Sequence, residues 1–257
     1  MCFIVVVIGV MYFSNRRQDY YIKGEKNFYK NCNFYLTSIE KSANLRKKNI
    51  KNLYDIIKKI FAKNIIRRGV DGEYISTDEI LELKKRKFLK KDNFKINSKS
   101  GKYLTNGEIG CFFSHLQVWE SIIDNNIEYG IIFEDDAKIG PDFKTKLDIL
   151  IENLPENFLY ISLYNFPAKN QQNIIDELED YNNFFNKLNN SEIWGTTCYL
   201  ISLKGAKILT QKLLPIRKAV DEAIADFCSK NPDCYITKTS VVDLSDKFST
   251  ANGYIRS

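Results

Sequence analysis

Three consecutive carboxylates, Glu134-Asp135-Asp136, stand where the short apolar run Tyr129-Gly130-Ile131-Ile132-Phe133 ends. Three such charges side by side repel one another unless a cation or water relieves them. A hard divalent ion, Mn²⁺ or Mg²⁺, takes one or two carboxylates together with phosphate oxygens. At the carboxyl end of a strand in an open α/β sheet, where ligands bind, it would bridge a diphosphate and stabilise it as a leaving group. Alternate side chains of a strand share a face, so Glu134 and Asp136 are expected to point together and Asp135 away. The competing reading is a solvated acidic turn. The buried strand in front of the triplet favours the metal.

Other residues could complete such a site. Asp221 and Glu222 follow the loop Leu214-Pro215-Ile216. They read equally well as charges that favour a helix N-terminus and as the source of a carboxylate base. His115 is the single histidine, and by itself it reads as a hydrogen-bonded core residue, as Trp119 reads as core. Trp194, beside Gly195-Thr196-Thr197, is open between core and a platform for a sugar ring. The six cysteines form no Cys-x-x-Cys pair, so a His/Cys zinc site is not expected. Cys111 and Cys198 sit in apolar patterns and read as small core residues. Free thiols point to a reducing compartment.

The elements that must position these residues alternate between strand and helix. Phe34–Ile39 has strand composition, and Ser42 is a candidate N-cap for a helix to about Ile60. Ile65–Val70 reads as a second strand closed by Asp71-Gly72, and a short helix opens at Thr77. Thr105-Asn106-Gly107-Glu108 fits a capping box, ahead of a helix to Asp124 that is apolar nearly all round and so buried. Pro141 suits the first turn of a helix to about Asn153. Strands are expected at Phe158–Tyr164, Thr196–Ser202 and Cys234–Thr239, and helices at Gly205–Leu214 and Asp221–Cys228. Arg86–Lys102 and Asn165–Glu192 lack a pattern and read as loops. This alternation predicts an α/β domain with a mixed, mainly parallel central sheet flanked by helices.

A chain of 257 residues, 44% hydrophobic and 13% aromatic, can bury a sizeable core. Residues 33–257 are expected to form one domain after an apolar segment and linker at 1–32. Met1–Phe13 carries no charge and precedes Asn15-Arg16-Arg17. It is shorter than a secure membrane span, and three readings stay open: a short anchor, a degenerate signal or artefact, and a buried strand. An anchor would place the rest on the cytoplasmic side, so the expected location is the cytoplasm or the cytoplasmic face of a membrane, with peripheral or anchored association. The net charge of +6 is spread among both signs, and no nucleic-acid-binding motif accompanies it. Nucleic acid is not an expected partner.

Leu104–Leu116, followed by Trp119 and Ile131–Asp136, resembles glycosyltransferase family 25, the family of bacterial lipooligosaccharide galactosyltransferases and the collagen galactosyltransferase group. Tyr35–Ile39 with Arg46, Val70-Asp71-Gly72, Thr196–Ser202 with Gly205-Ala206, and Val220-Asp221 are similar to further segments of it. The resemblance implies a GT-A-like nucleotide-sugar-binding fold, a UDP-hexose donor, a divalent metal at the triplet and inverting transfer of galactose or glucose. The implied acceptors are a glycan, lipooligosaccharide or glycoprotein hydroxyl. Carried across, Glu134 and Asp136 hold the metal, with Asp135 beside them at the diphosphate. Leu36, Thr37, Arg46 and Asp71 lie near the nucleotide, and Glu108, Ser114, His115 and Trp194 support the site. Asp221 and Asp136 are the catalytic carboxylates. The sequence departs from the family pattern at Thr37-Ser38 and at Arg217-Lys218-Ala219. Two rivals are a catalytically inactive glycan-binding relative and a metal-dependent phosphotransfer or phosphohydrolase domain. The latter normally needs an aspartate after the first strand, and Thr37-Ser38-Ile39-Glu40 offers none.

Overall fold

A computed structural model describes residues 28–76, 78, 82, 85, 104–165, 177–191, 193 and 195–244. The segment 1–13, the loop 86–102 and Trp194 lie outside these residues, as does most of the short helix expected from Thr77. Among the described residues, no helix is long and apolar enough to cross a membrane.

Seven strands form one sheet: β1 (Cys32–Thr37), β2 (Ile65–Arg68), β3 (Tyr129–Glu134), β5 (Tyr160–Ser162), β6 (Phe185–Lys187), β7 (Cys198–Ser202) and β8 (Cys234–Thr237). Their order is β2-β1-β3-β7-β5-β8-β6. Only β7 and β6 run against the other five, so the sheet is mixed with one dominant direction, as the alternation of elements predicts. A separate two-stranded ribbon pairs β4 (Ala137–Lys138) with β9 (Asp243–Leu244).

Alternation along the strands sorts two cores onto opposite faces. Tyr35, Ile132, Tyr199 and Ile201 pack with α3 (Asn106–Asp124), α5 (Leu203–Lys212) and α6 (Val220–Cys228). Phe34, Leu36, Ile131 and Phe133 pack with α2 (Lys47–Phe61) and α4 (Phe143–Glu152). The packed residues reach back before 33: Phe28 is buried and stacks on Tyr129 at 4.7 Å.

Several expected elements differ in detail. The helix anticipated from Ser42 to Ile60 is two pieces, α1 (Glu40–Leu45) and α2, broken at Arg46, whose φ of −103° and ψ of 20° are not helical. Ser42 is no N-cap. It lies inside α1, and its hydroxyl bonds the Ile39 carbonyl and the Asp135 carboxylate. Tertiary demand on Arg46 and Ser42 overrides a local pattern that reads as continuous helix. The stretch 165–192 reads as a patternless loop, yet it contributes β6, which pairs with β8. Three residues are too few for periodicity to register. The capping box at α3 is present in both directions between Thr105 and Glu108.

Candidate active site

β3 ends at Glu134, and the strand alternation carries one residue beyond it. Glu134 turns toward α3: its Oε1 lies 3.3 Å from His115 Nε2 and accepts from the Thr196 hydroxyl at 2.5 Å. Asp135 turns to the other face. It is buried and accepts from Ser38 Oγ at 2.8 Å, from Ser42 Oγ and from the Arg46 guanidinium. Asn49 Nδ2 donates to the Asp135 carbonyl at 3.0 Å and to the Ala137 carbonyl at 2.8 Å, pinning the turn after β3. Asp135 is therefore occupied by protein groups and anchors the turn.

Asp136 lies in that turn, outside the pleat, so alternation does not place it. Its Oδ2 is 4.0 Å from Arg46, and its Oδ1 is buried with no hydrogen-bond partner. Burial, and then the charge of Glu134, push its carboxyl up to about 7 despite the pull of Arg46. Burial also pushes Glu134 up, but the hydrogen bond and charge of His115, the Thr196 hydroxyl and Arg46 outweigh it, and Glu134 lies below the usual carboxylate range. An ionised carboxylate beside one with a bare buried oxygen is a donor set that fits a hard divalent cation.

Behind Glu134, the ring of His115 is held from its other side. Its Nδ1 is 2.8 Å from Tyr199 Oη, which also receives the Trp119 indole N–H at 3.1 Å. Both rings are buried in the core, so His115 joins core and site rather than belonging to one of them. Cys111, one turn earlier on α3, brings its thiol to His115 and Glu134 in a group that could hold a metal, where the cysteine spacing points to no His/Cys zinc site.

The remaining residues frame this centre. Ser114 Oγ accepts from the Val70 amide at 2.8 Å and so ties α3 to the segment that carries Asp71. Asp71 caps the 3₁₀ turn Gly72–Tyr74 through the Glu73 amide at 3.0 Å. Thr37 donates to the Phe133 carbonyl at 3.3 Å, and the Leu36 side chain is wholly buried in the core. Glu108 is engaged in the α3 cap. Asp221 opens α6 and lines a narrow cleft with Tyr160, Ser162, Gly195 and Ile224. Burial raises its carboxyl above the ordinary range, and the charge of Glu134 adds to the rise. Gly195 has φ 133°, a backbone conformation that favours glycine at the cleft rim.

The family model described as "Glycosyltransferase family 25 (LPS biosynthesis protein)" matches residues 31–224. The chain belongs to glycosyltransferase family 25. Membership places it among the glycosyltransferases. Human procollagen galactosyltransferase 2 is 29% identical over 208 residues, covering 77% of this chain and 30% of that protein. Procollagen galactosyltransferase 1-B of Xenopus laevis is 34% identical over 152 residues, or 58% of this chain and 23% of that one. A Bos taurus relative named "probable inactive glycosyltransferase 25 family member 3" is 30% identical over 140 residues, covering 52% and 22%. The family 25 chain thus spans a third or less of the length of these relatives. A solved glycosyltransferase involved in the glycosylation of the major capsid of PBCV-1 has a TM-score of 0.38 at 13% identity, covering 71% of this chain and 66% of that one.

In this family 25 chain, sequence reasoning did not single out Ser38, Ser42, Asn49, Tyr199 or Ser162 for the site. Hydroxyls and amides carry no local pattern, and only the sheet order brings them to Asp135, His115 and the cleft. Thr196 lies in a strand motif. Its contact with Glu134 spans 62 residues and needs the β3–β7 pairing.

Proposed function

We propose that this chain is an active hexosyltransferase with a GT-A-like fold, moving galactose or glucose from a UDP-sugar to a hydroxyl of a glycan or glycoconjugate, with Mn²⁺ or Mg²⁺ as cofactor. The observation that carries this reading is the buried, partnerless Oδ1 of Asp136 beside the ionised Glu134 at the end of β3. Glu134 and Asp136 would hold the metal. When bound, the ion would offset charge on the departing diphosphate. His115 and Thr196 keep Glu134 charged and oriented. Arg46 holds Asp135 and keeps a positive charge near Asp136. Asp71 and Thr37, past β2 and at the end of β1, would border the nucleotide, with Leu36 forming the apolar floor beneath.

Asp221 would take the proton from the acceptor hydroxyl as that oxygen attacks the sugar in a single inverting displacement. Its proton affinity, raised by burial, suits a general base. Two acceptor classes follow, a lipooligosaccharide glycan, in line with the family's description as an LPS biosynthesis protein, and a protein side chain, in line with the relatives named procollagen galactosyltransferases. This chemistry would take place in the cytoplasm or on the cytoplasmic face of a membrane, in keeping with five free cysteines among the described residues.

The test is UDP release from UDP-galactose and UDP-glucose by the full chain, with Mn²⁺ and with chelator, against lipooligosaccharide and hydroxylysine-peptide acceptors. Turnover that needs Mn²⁺ and disappears in Asp136→Ala supports the assignment. Full metal-dependent turnover in Asp136→Ala overturns it. The inactive reading has one specific observation in its favour, the relative named as probably inactive. Calorimetry with UDP and Mn²⁺ separates them, because a phosphotransfer domain or a dead relative would lack metal-coupled UDP binding.

A further inference from the structure

Cys111 and His115 stand one turn apart on α3, and Glu134 reaches them from the end of β3. One ligand atom from each lies within 4.8 Å of the others. His115 Nε2 and Glu134 Oε1 are already 3.3 Å apart, close to the separation of two ligands around zinc, whose bonds to nitrogen and oxygen are about 2.0–2.2 Å. Tyr199 Oη has two lone pairs. It accepts from Trp119 and, with the imidazole proton on Nδ1, can accept from His115 as well, which would free Nε2, hydrogen-bonded to Glu134 in this structure, for a cation. A ligating histidine needs this kind of outer partner.

We propose that Cys111, His115 and Glu134 form a site for a thiophilic divalent cation of the zinc class, and that its occupation withdraws Glu134 from the transfer reaction. Thiolate and imidazole select zinc-like ions, whereas the oxygens of Glu134 and Asp136 suit Mn²⁺ or Mg²⁺. Glu134 is shared between two donor sets of opposite preference. A cation held by Cys111 and His115 would draw the Glu134 carboxylate toward α3 and away from Asp136. Binding releases the Cys111 proton to solvent and moves the imidazole proton to Nδ1. The inhibitory half of the inference rests on the transfer reading above; the binding half does not.

Co²⁺ is the probe for binding. Titrated into the full chain, it gives a thiolate-to-cobalt charge-transfer absorption in the near ultraviolet that is lost in Cys111→Ser and kept in Cys234→Ser. No such band, or a band that survives Cys111→Ser, overturns the site. Cys111→Ala repeats the comparison, with thermal unfolding to show that the variants are folded. For inhibition, Zn²⁺ is titrated into UDP-galactose turnover at fixed Mn²⁺. Cys111→Ser keeps the basal turnover, and its half-inhibiting Zn²⁺ concentration rises at least about tenfold. Equal inhibition of both proteins overturns the competition. A chain without transfer activity that still shows the cobalt band retains the site and loses only the transfer reading.

Discussion

Arg46 and Asp135, 89 residues apart in the chain, form a buried ion pair whose side chains are only 5% and 7% exposed. The pair joins the α1–α2 break to the turn that carries Asp136, with Ser38 and Ser42 completing the carboxylate's hydrogen bonds. Removing one partner of such a pair strands a buried charge, a loss of about 3–5 kcal/mol. Arg46→Ala is therefore expected to lower stability by that order in urea unfolding. It also removes the cation that restrains Asp136, so the Asp136 carboxyl rises further and Mn²⁺ binding weakens. Asp135→Asn with Arg46→Met should recover part of the stability but not the metal binding.

Asp136 is expected to oppose stability and serve binding. A carboxyl whose folded pKa lies above its unfolded value holds its proton more tightly when folded. Stability is then highest below the unfolded value and falls as pH rises toward about 7. Without metal, Asp136→Asn should melt at a higher temperature than the parent at pH 8 and at a similar one at pH 4, while losing metal-dependent turnover. A lower melting point at pH 8 would contradict the buried, unpartnered oxygen.

Mn²⁺ must displace the Asp136 proton below about pH 7. Its affinity, read by calorimetry, is expected to fall by up to about tenfold per pH unit there and to level off above. Glu134 is held below the ordinary carboxylate range and should add no further step between pH 5 and 8.

Thr196 donates to Glu134 Oε1, the same oxygen that faces His115. Thr196→Val is expected to weaken Mn²⁺ affinity by about tenfold or more, as loss of an outer-shell partner does. Thr196→Ser should restore it. A Thr196→Val protein with parental affinity would remove the hydroxyl from the account.

Gly110 on α3 packs against the segment after β2, where an added Cβ would meet the Val70 carbonyl oxygen and the Gly72 amide nitrogen at 2.6 Å each. Both are backbone atoms, so relief requires the helix to move. Gly110→Ala should destabilise the fold by about 1–3 kcal/mol and displace Asp71. Nucleotide affinity would then fall along with the denaturation midpoint.

The capping box at Thr105–Glu108, the apolar α3 and the run of β3 into three carboxylates were all legible in the sequence, because each is a local pattern set by helix or strand period. So was the α/β class. The division of labour within Glu134-Asp135-Asp136 was legible only for its first two members. Alternation sends Glu134 and Asp135 to opposite faces, but β3 stops at Glu134 and the turn places Asp136 by other means. Which carboxylate is satisfied and which is left bare depends on Arg46, Ser38, Ser42 and Thr196, 62 to 97 residues away from the groups they contact. Local periodicity carries no information about such partners. The sheet order β2-β1-β3-β7 brings them together, and burial then makes each pairing, or its absence at Asp136 Oδ1, energetically decisive.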